Sequence, residues 1–175
     1  AVVSYQTAWL KANHTVEFMA GVMNCDIHLT DKLAVYFEEV RKGLDLPWVP
    51  PCVNRSDATF KVVDGALVYA LGALKNVGVE AMRLVQDARG DKPFVTLFDF
   101  ARRVDLKRVG KRPLEMLARA GAFDQLDPNR RRGFDARDAL SAYSAAIHDQ
   151  KNSNQVSLFG EAGDDLPEPR LMPVD

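Results

Sequence analysis

Cysteine is nearly missing from this chain, with only Cys25 and Cys52 among 175 residues. Two such residues cannot build a disulfide scaffold, and their spacing is not that of a metal site, so both are expected as reduced, partly buried thiols. Histidine is as sparse. His14, His28 and His148 stand apart from one another and from any Cys or carboxylate pattern, so neither a metal nor another cofactor is expected. No stretch of about 18 apolar residues occurs, which argues against a membrane partner. A secretory leader is not visible either. There is no phosphate-binding glycine loop of the nucleotide-hydrolase type and no nucleophile motif. The acids are scattered rather than paired to hold two metal ions. The chain by itself is therefore expected to carry out no reaction.

Net charge is also slight, at −1, and taken as an average it argues against a polyanionic partner. The average conceals a strong asymmetry. Between Lys92 and Arg132, eleven Lys or Arg face five Asp or Glu. Between Glu161 and Asp175, five acids face Arg170 alone. Apolar residues make up 47 % of the chain, enough for one domain with a substantial core or two small ones. The chain opens on Ala1-Val2-Val3 within an apolar pattern and without an initiator Met, and reads as an excised piece of a longer cytoplasmic protein.

The periodicity predicts a mostly α chain with one small β-hairpin. Val3–Met23 is helical in pattern, with apolar points at Trp9, Leu10, Val16, Phe18, Ala20 and Met23. A break is expected near Asn13-His14-Thr15, where Thr15 can cap a second segment. Thr30 or Asp31 can cap a further helix that presents Leu33, Val35, Phe37 and Val40 and ends at Gly43. Pro47, Pro50 and Pro51 make residues 47–54 an extended connector. Residues 60–69 read as a β-hairpin turning at Asp64-Gly65. A boundary between sub-structures is expected near Gly72, followed by helices at Val79–Arg89, at Leu97–Val104 capped by Thr96, and from Pro113 to Ala120. Asp135–Lys151 reads as a longer helix, and the polar, acidic residues after Asn152 as a disordered tail when free.

Two short turns carry the functional signal. The first is Leu74-Lys75-Asn76-Val77-Gly78 and the second Lys107-Arg108-Val109-Gly110-Lys111-Arg112, their glycines 32 residues apart. Each bends the chain immediately before a helix with an apolar face. A helix entered this way points free backbone N–H groups outward, and with the helix dipole they suit an anion such as a DNA phosphate. Lys75, Lys107, Arg108, Lys111 and Arg112 would add charge. The N–H groups of Val77, Gly78, Val109 and Gly110 would add direction. The spacing suggests an internal duplication, although two copies do not make a solenoid. In the polar tail, Gln155-Val156-Ser157-Leu158-Phe159 places an apolar pair where there is no core for it to join. Seating Leu158 and Phe159 in a partner groove would supply roughly 3–6 kcal/mol before ordering costs, with the Gln155 amide fixing the register.

The turns resemble helix-hairpin-helix units, which bind DNA backbone without reading sequence. Asn76 stands where that pattern has a glycine, and Asn tolerates the left-handed region best among other residues. The tail pentapeptide resembles the bacterial sliding-clamp binding motif. Four further stretches extend the likeness. They are Ser4-Tyr5-Gln6-Thr7-Ala8-Trp9-Leu10-Lys11 with Val16-Glu17-Phe18-Met19-Ala20, Pro50-Pro51-Cys52-Val53-Asn54-Arg55-Ser56, Leu97-Phe98-Asp99-Phe100, and Ala120-Gly121-Ala122-Phe123-Asp124. In this order they resemble the alpha subunit of bacterial DNA polymerase III, a C-family replicative polymerase. The resemblance implies that residues 1–71 are the end of a fingers region and 72–126 a tandem helix-hairpin-helix module. It also implies a long helix over 127–151 and a tail over 152–175 that holds the clamp tether. The implied partners are primer–template duplex DNA, the sliding clamp and, through the parent chain, the remaining polymerase subunits. The parent's catalytic carboxylates belong to a palm domain outside this stretch, so the implied role is DNA gripping and clamp tethering without catalysis. A rival reading is a protein–protein interaction module that makes no DNA contact, and a second is a repair or recombination protein that uses the same hairpins.

Overall fold

The computed structural model describes residues 1–154, 166–171 and 173. Among the described residues, fourteen stretches alternate in a mostly helical order around one small sheet. Helices α1 (Val2–Asn13), α2 (Thr15–Cys25) and α3 (Thr30–Glu38) come first, the last running into a π-turn at Glu39–Gly43. Strands β1 (Trp48–Val49), β2 (Lys61–Val63) and β3 (Ala66–Val68) follow, then a 3₁₀ turn at Leu71–Ala73. The remainder is α4 (Val79–Arg89), α5 (Leu97–Arg103), α6 (Leu106–Val109), α7 (Lys111–Arg119), α8 (Arg130–Asp135) and α9 (Arg137–Asn154).

The expected break between α1 and α2 falls at His14, but its chemistry differs from the expectation. The Thr15 hydroxyl does not cap α2; it donates back to the Lys11 carbonyl at 2.7 Å. Leu29, not Thr30 or Asp31, occupies the cap position of α3, with no side-chain cap bond. Leu33 on α3 and Val40 in the π-turn after it are buried, whereas Val35 points to solvent at 67 % exposure. On α2, Met19, Ala20 and Met23 enter the core. Trp9 and Leu10 do not, because α1 buries none of its residues.

The β-hairpin forms as its turn chemistry requires. Asp64 and Gly65 both take positive φ, 50° and 75°, the signature of the tight turn that matches strand twist. The proline connector adds a third strand. Trp48 and Val49 pair in parallel with Leu67 and Val68, so the order is β1-β3-β2.

The connector is a hub rather than a linker. Val53 N–H donates to the Ala122 carbonyl at 3.0 Å. The Asn54 side chain pairs with both backbone groups of Phe94, at 2.7 and 2.9 Å. Buried Arg89, on α4, donates to the Val53 and Ser56 carbonyls at 2.9 and 2.6 Å and to the Asp57 carboxylate. Asn24 repeats the amide pairing from α2, donating to Phe60 O and accepting from Phe60 N. The apolar core is accordingly continuous from Met19 through Phe60, Leu71 and Phe100 to Ile147, with no gap at Gly72. At Gly72 the two sides lie close together. A Cβ there would run into the Ala58 carbonyl oxygen and sit 2.9 Å from Val79 Cα.

The predicted long helix begins later, at Arg137, and is preceded by the separate short helix α8, which Asn129 caps through Arg132 N–H. Among the residues after α9, 166–171 and 173 are described. Leu166 and Leu171 pack against the core, and Glu168 pairs with Arg102 at 3.0 Å.

Candidate nucleic-acid interface

The two turns are built on the same backbone plan. Gly78 (φ 83°, ψ 140°) is the N-cap of α4, and Gly110 (φ 95°, ψ 155°) is the N-cap of α7. That conformation is open essentially to glycine alone. The 32-residue offset extends into the helices. Val77 and Val109 are both 5 % exposed, while Met82 and Leu114, then Val85 and Leu117, are fully buried. Each turn is thus pinned by a buried valine just before its glycine and by an apolar stripe just after.

The approaches to the turns differ. The first comes from the 3₁₀ turn through Asn76, which adopts the left-handed region at φ 62°. Asn76 therefore adopts the left-handed conformation that Asn tolerates better than other residues with a side chain. The second comes from α6, a single helical turn. Asp105 caps it by accepting from Lys107 N–H at 3.1 Å. Ser144, fully buried on α9, accepts from Leu106 N–H at 3.0 Å and donates to the Val104 carbonyl at 2.8 Å. One hydroxyl from 38 residues downstream therefore fixes the entry to the second turn.

Three of the four backbone donors expected at the turns are already engaged. Val77 N–H donates to Leu74 O, Val109 N–H to Asp105 O, and Gly110 N–H to Leu106 O. The turns close on themselves through these bonds. The Gly78 N–H has no acceptor among the described residues. The outward donors lie one step further on, in the first helical turns, where no i−4 carbonyl is available. These are Val79, Glu80 and Ala81 in α4, and Lys111 and Arg112 in α7. Pro113 removes one donor from the second set.

The cations also divide. Lys75, Lys107, Arg108 and Arg112 are exposed and have no ion-pair partner among the described residues. Lys111 is tied to Asp138 of α9, with Nζ 2.8 Å from Oδ1. That hydrogen bond, and then the lysine's charge, hold the Asp138 carboxyl below the usual carboxylate range. Much of the remaining basic segment is structural. Arg103 donates to the Ala88, Arg89 and Lys92 carbonyls at the end of α4 and lies over the Phe94 ring at 4.6 Å. Arg130 pairs with Asp124, Arg132 with Asp127, Arg131 with Asp135 and Arg119 with Glu115. The first hairpin is therefore rich in directed donors and poor in charge, and the second is the reverse.

The turns open into separate clefts. Lys107, Gly110 and Lys111 line one with Asp138, Ser141 and Ala142. Gly78 lines another with Asn24, His28, Thr59 and Arg83, and Lys75 a third with His28 and Lys32. Gln155, Leu158 and Phe159 lie outside the described residues. Among the described residues no cluster of His, Cys, Asp or Glu could hold a metal ion, and no helix is long and apolar enough to cross a membrane.

Sequence reasoning did not find Ser144 or Asp138. Ser144 had a signal: it sits between Leu140, Tyr143 and Ile147 on the buried stripe of α9, and a hydroxyl in that position needs partners. Asp138 had none, since its meeting with Lys111 depends on how α9 crosses α7.

The helix-hairpin-helix motif family matches residues 45–133, about half of the chain. The chain belongs to that family. Its match takes in the whole proline connector, in agreement with the hub that binds residues 53–58 to α4 and Ala122. The relatives name the larger protein. The chain is 46 % identical over 162 residues to DNA polymerase III subunit alpha of Caulobacter vibrioides, covering 91 % of this chain and 14 % of that protein. It is 50 % identical over 162 residues to the same subunit of Pseudomonas fluorescens, covering 92 % and 13 %. Against Thermus aquaticus it is 38 % identical over 176 residues, covering 100 % and 14 %. The chain thus corresponds to a segment of DNA polymerase III subunit alpha and spans about one seventh of those relatives' length.

Proposed function

We propose that this helix-hairpin-helix segment grips the sugar–phosphate backbone of primer–template duplex DNA without reading its sequence, as the non-catalytic DNA-holding part of a replicative polymerase. The observation that carries the reading is the pair of glycine-bent helix N-termini, Gly78–Val79 and Gly110–Lys111. The first offers directed donors, and the second three cations that have no ion-pair partner among the described residues. A phosphate accepts from backbone N–H groups, and nearby Lys and Arg strengthen the contact without fixing its register. Lys75 and Asn76 flank the first contact, while Lys107, Arg108, Lys111 and Arg112 surround the second.

The same proposal assigns Gln155, Leu158 and Phe159 to the sliding clamp. Two modest contacts on one chain hold the polymerase to its template more tightly than either alone. The reaction itself belongs to the rest of the parent chain, through which the remaining polymerase subunits are met, and this reading places the parent in the cytoplasm at the nucleoid.

The test is titration of labelled random-sequence duplex at rising salt, comparing the chain with a Lys107→Gln/Arg108→Gln/Arg112→Gln variant. The chain should bind without sequence preference. The variant should bind more weakly, with the log–log salt slope shallower by about 0.9 for each lost phosphate contact. Equal binding by both would leave the second hairpin without a role. For the tether, Leu158→Ala/Phe159→Ala should abolish clamp binding and leave duplex binding intact, and parallel loss of both activities would refute the division of labour.

A further inference from the structure

Three of the four cations of the second hairpin point to solvent, and the fourth is already occupied. Lys111, the first residue of α7, has its ammonium 2.8 Å from the Asp138 carboxylate. This is not a pair between neighbours on one helix. Asp138 belongs to the first turn of α9, which packs against α5, α6 and α7. The Ser144 hydroxyl fixes α9 to Val104 and Leu106 at the entry to the same hairpin. The carboxylate is therefore carried on a rigid support and held over the cleft that contains Lys107, Gly110 and Lys111. Both side chains remain more than 60 % exposed, so solvent and ligands reach the pair freely.

We propose that Asp138 is a built-in competitor for the phosphate site of the second hairpin. It occupies Lys111 in the unbound state and limits how tightly the turn holds a DNA backbone. A carboxylate offers Lys111 the same two things that a phosphate does, negative charge and acceptor oxygens. A phosphate arriving at the N-terminus of α7 must displace Asp138 or leave Lys111 out of the contact. In either case it also meets a fixed negative charge nearby. A duplex grip that must be released and remade at each step is served by such a restraint. The inference rests on the DNA-gripping function proposed above.

The experiment compares four chains of 175 residues by duplex titration across a salt series: the unmodified chain, Asp138→Asn, Lys111→Gln and the double variant. Asp138→Asn should bind random-sequence duplex roughly three- to tenfold more tightly at low salt, with a log–log salt slope steeper by about 0.9 as Lys111 joins the phosphate contacts. Lys111→Gln should erase that gain, so the double variant should bind like Lys111→Gln alone. Asp138→Ser repeats the test with a shorter neutral side chain, in case Asn disturbs the helix. Unchanged or weaker binding by both Asp138 variants overturns the inference, and weaker binding would make Asp138 a group that aims the lysine. An unmodified chain that ignores duplex at low salt defeats the DNA reading itself and this inference with it. Binding that does not respond to Asp138 defeats the inference alone.

Discussion

At the scale of single residues, the hairpins depend on positions that do not touch their tips. Ser144→Ala leaves a buried N–H at Leu106 and a buried carbonyl at Val104 without partners. We predict a loss of about 2–3 kcal/mol in urea unfolding, and Ser144→Thr, which keeps the hydroxyl, should recover part of it. Gly72→Ala drives a methyl group into the Ala58 carbonyl and the Val79 backbone, where no flexible side chain can give way. The expected cost is about 1–3 kcal/mol by the same measurement. Asp138 adds a pH dependence. Its folded-state pKa is depressed by Lys111, so the stability it contributes is present above the unfolded-state pKa near 3.9. That contribution disappears as the pH falls through the lower folded value. Asp138→Asn should remove this segment of the acid-unfolding curve, and a curve unchanged below pH 4 would show that the pair does not form in solution.

At the scale of elements, local chemistry was legible and distant pairing was not. Thr96 caps α5 through Asp99 N–H, Gly90 stops α4, and Asp64-Gly65 turns the hairpin, all as their residue types require. The expected left-handed turn at Asn76 forms. Other features were decided by partners far along the chain. β1 exists because Trp48 meets Leu67, which no pattern within residues 47–54 encodes. Val35 and the apolar points of α1 look like core residues by type, and only the packing shows that they stay exposed among the described residues. Of the four expected backbone donors, those of Val77, Val109 and Gly110 are engaged because the turns satisfy their own N–H groups first, and the Gly78 N–H alone has no acceptor among the described residues. α8 was missed as a separate element, because residues 127–151 were expected as one long helix, although Asn129 is a regular cap for a short one. At this scale we predict that Asp105→Ala, which uncaps the one-turn helix α6, costs about 1 kcal/mol. It should also weaken duplex binding more than Thr96→Ala does, because α6 leads directly into the second turn. Equal effects on binding would show that the shape of α6 does not matter to the grip.

At the scale of the whole molecule, α1 stands apart from the rest. It buries no residue, and its tie to the π-turn is the exposed Lys11–Glu39 pair. Removing residues 1–13 should therefore change unfolding free energy by less than about 1 kcal/mol, whereas a cut at Gly72 should leave the hairpins unable to fold. Circular dichroism of the two truncations would separate these outcomes. The reason lies in the bond from Val53 N–H to the Ala122 carbonyl. It joins the strand side of the chain to the end of the second hairpin, with Val53 itself fully buried. That amide has no local fluctuation by which to reach water, since exposing it requires the hub, α4 and Ala122 to separate together. In deuterated solvent Val53 should be among the last protons to leave, at a rate that reports the opening of the entire fold.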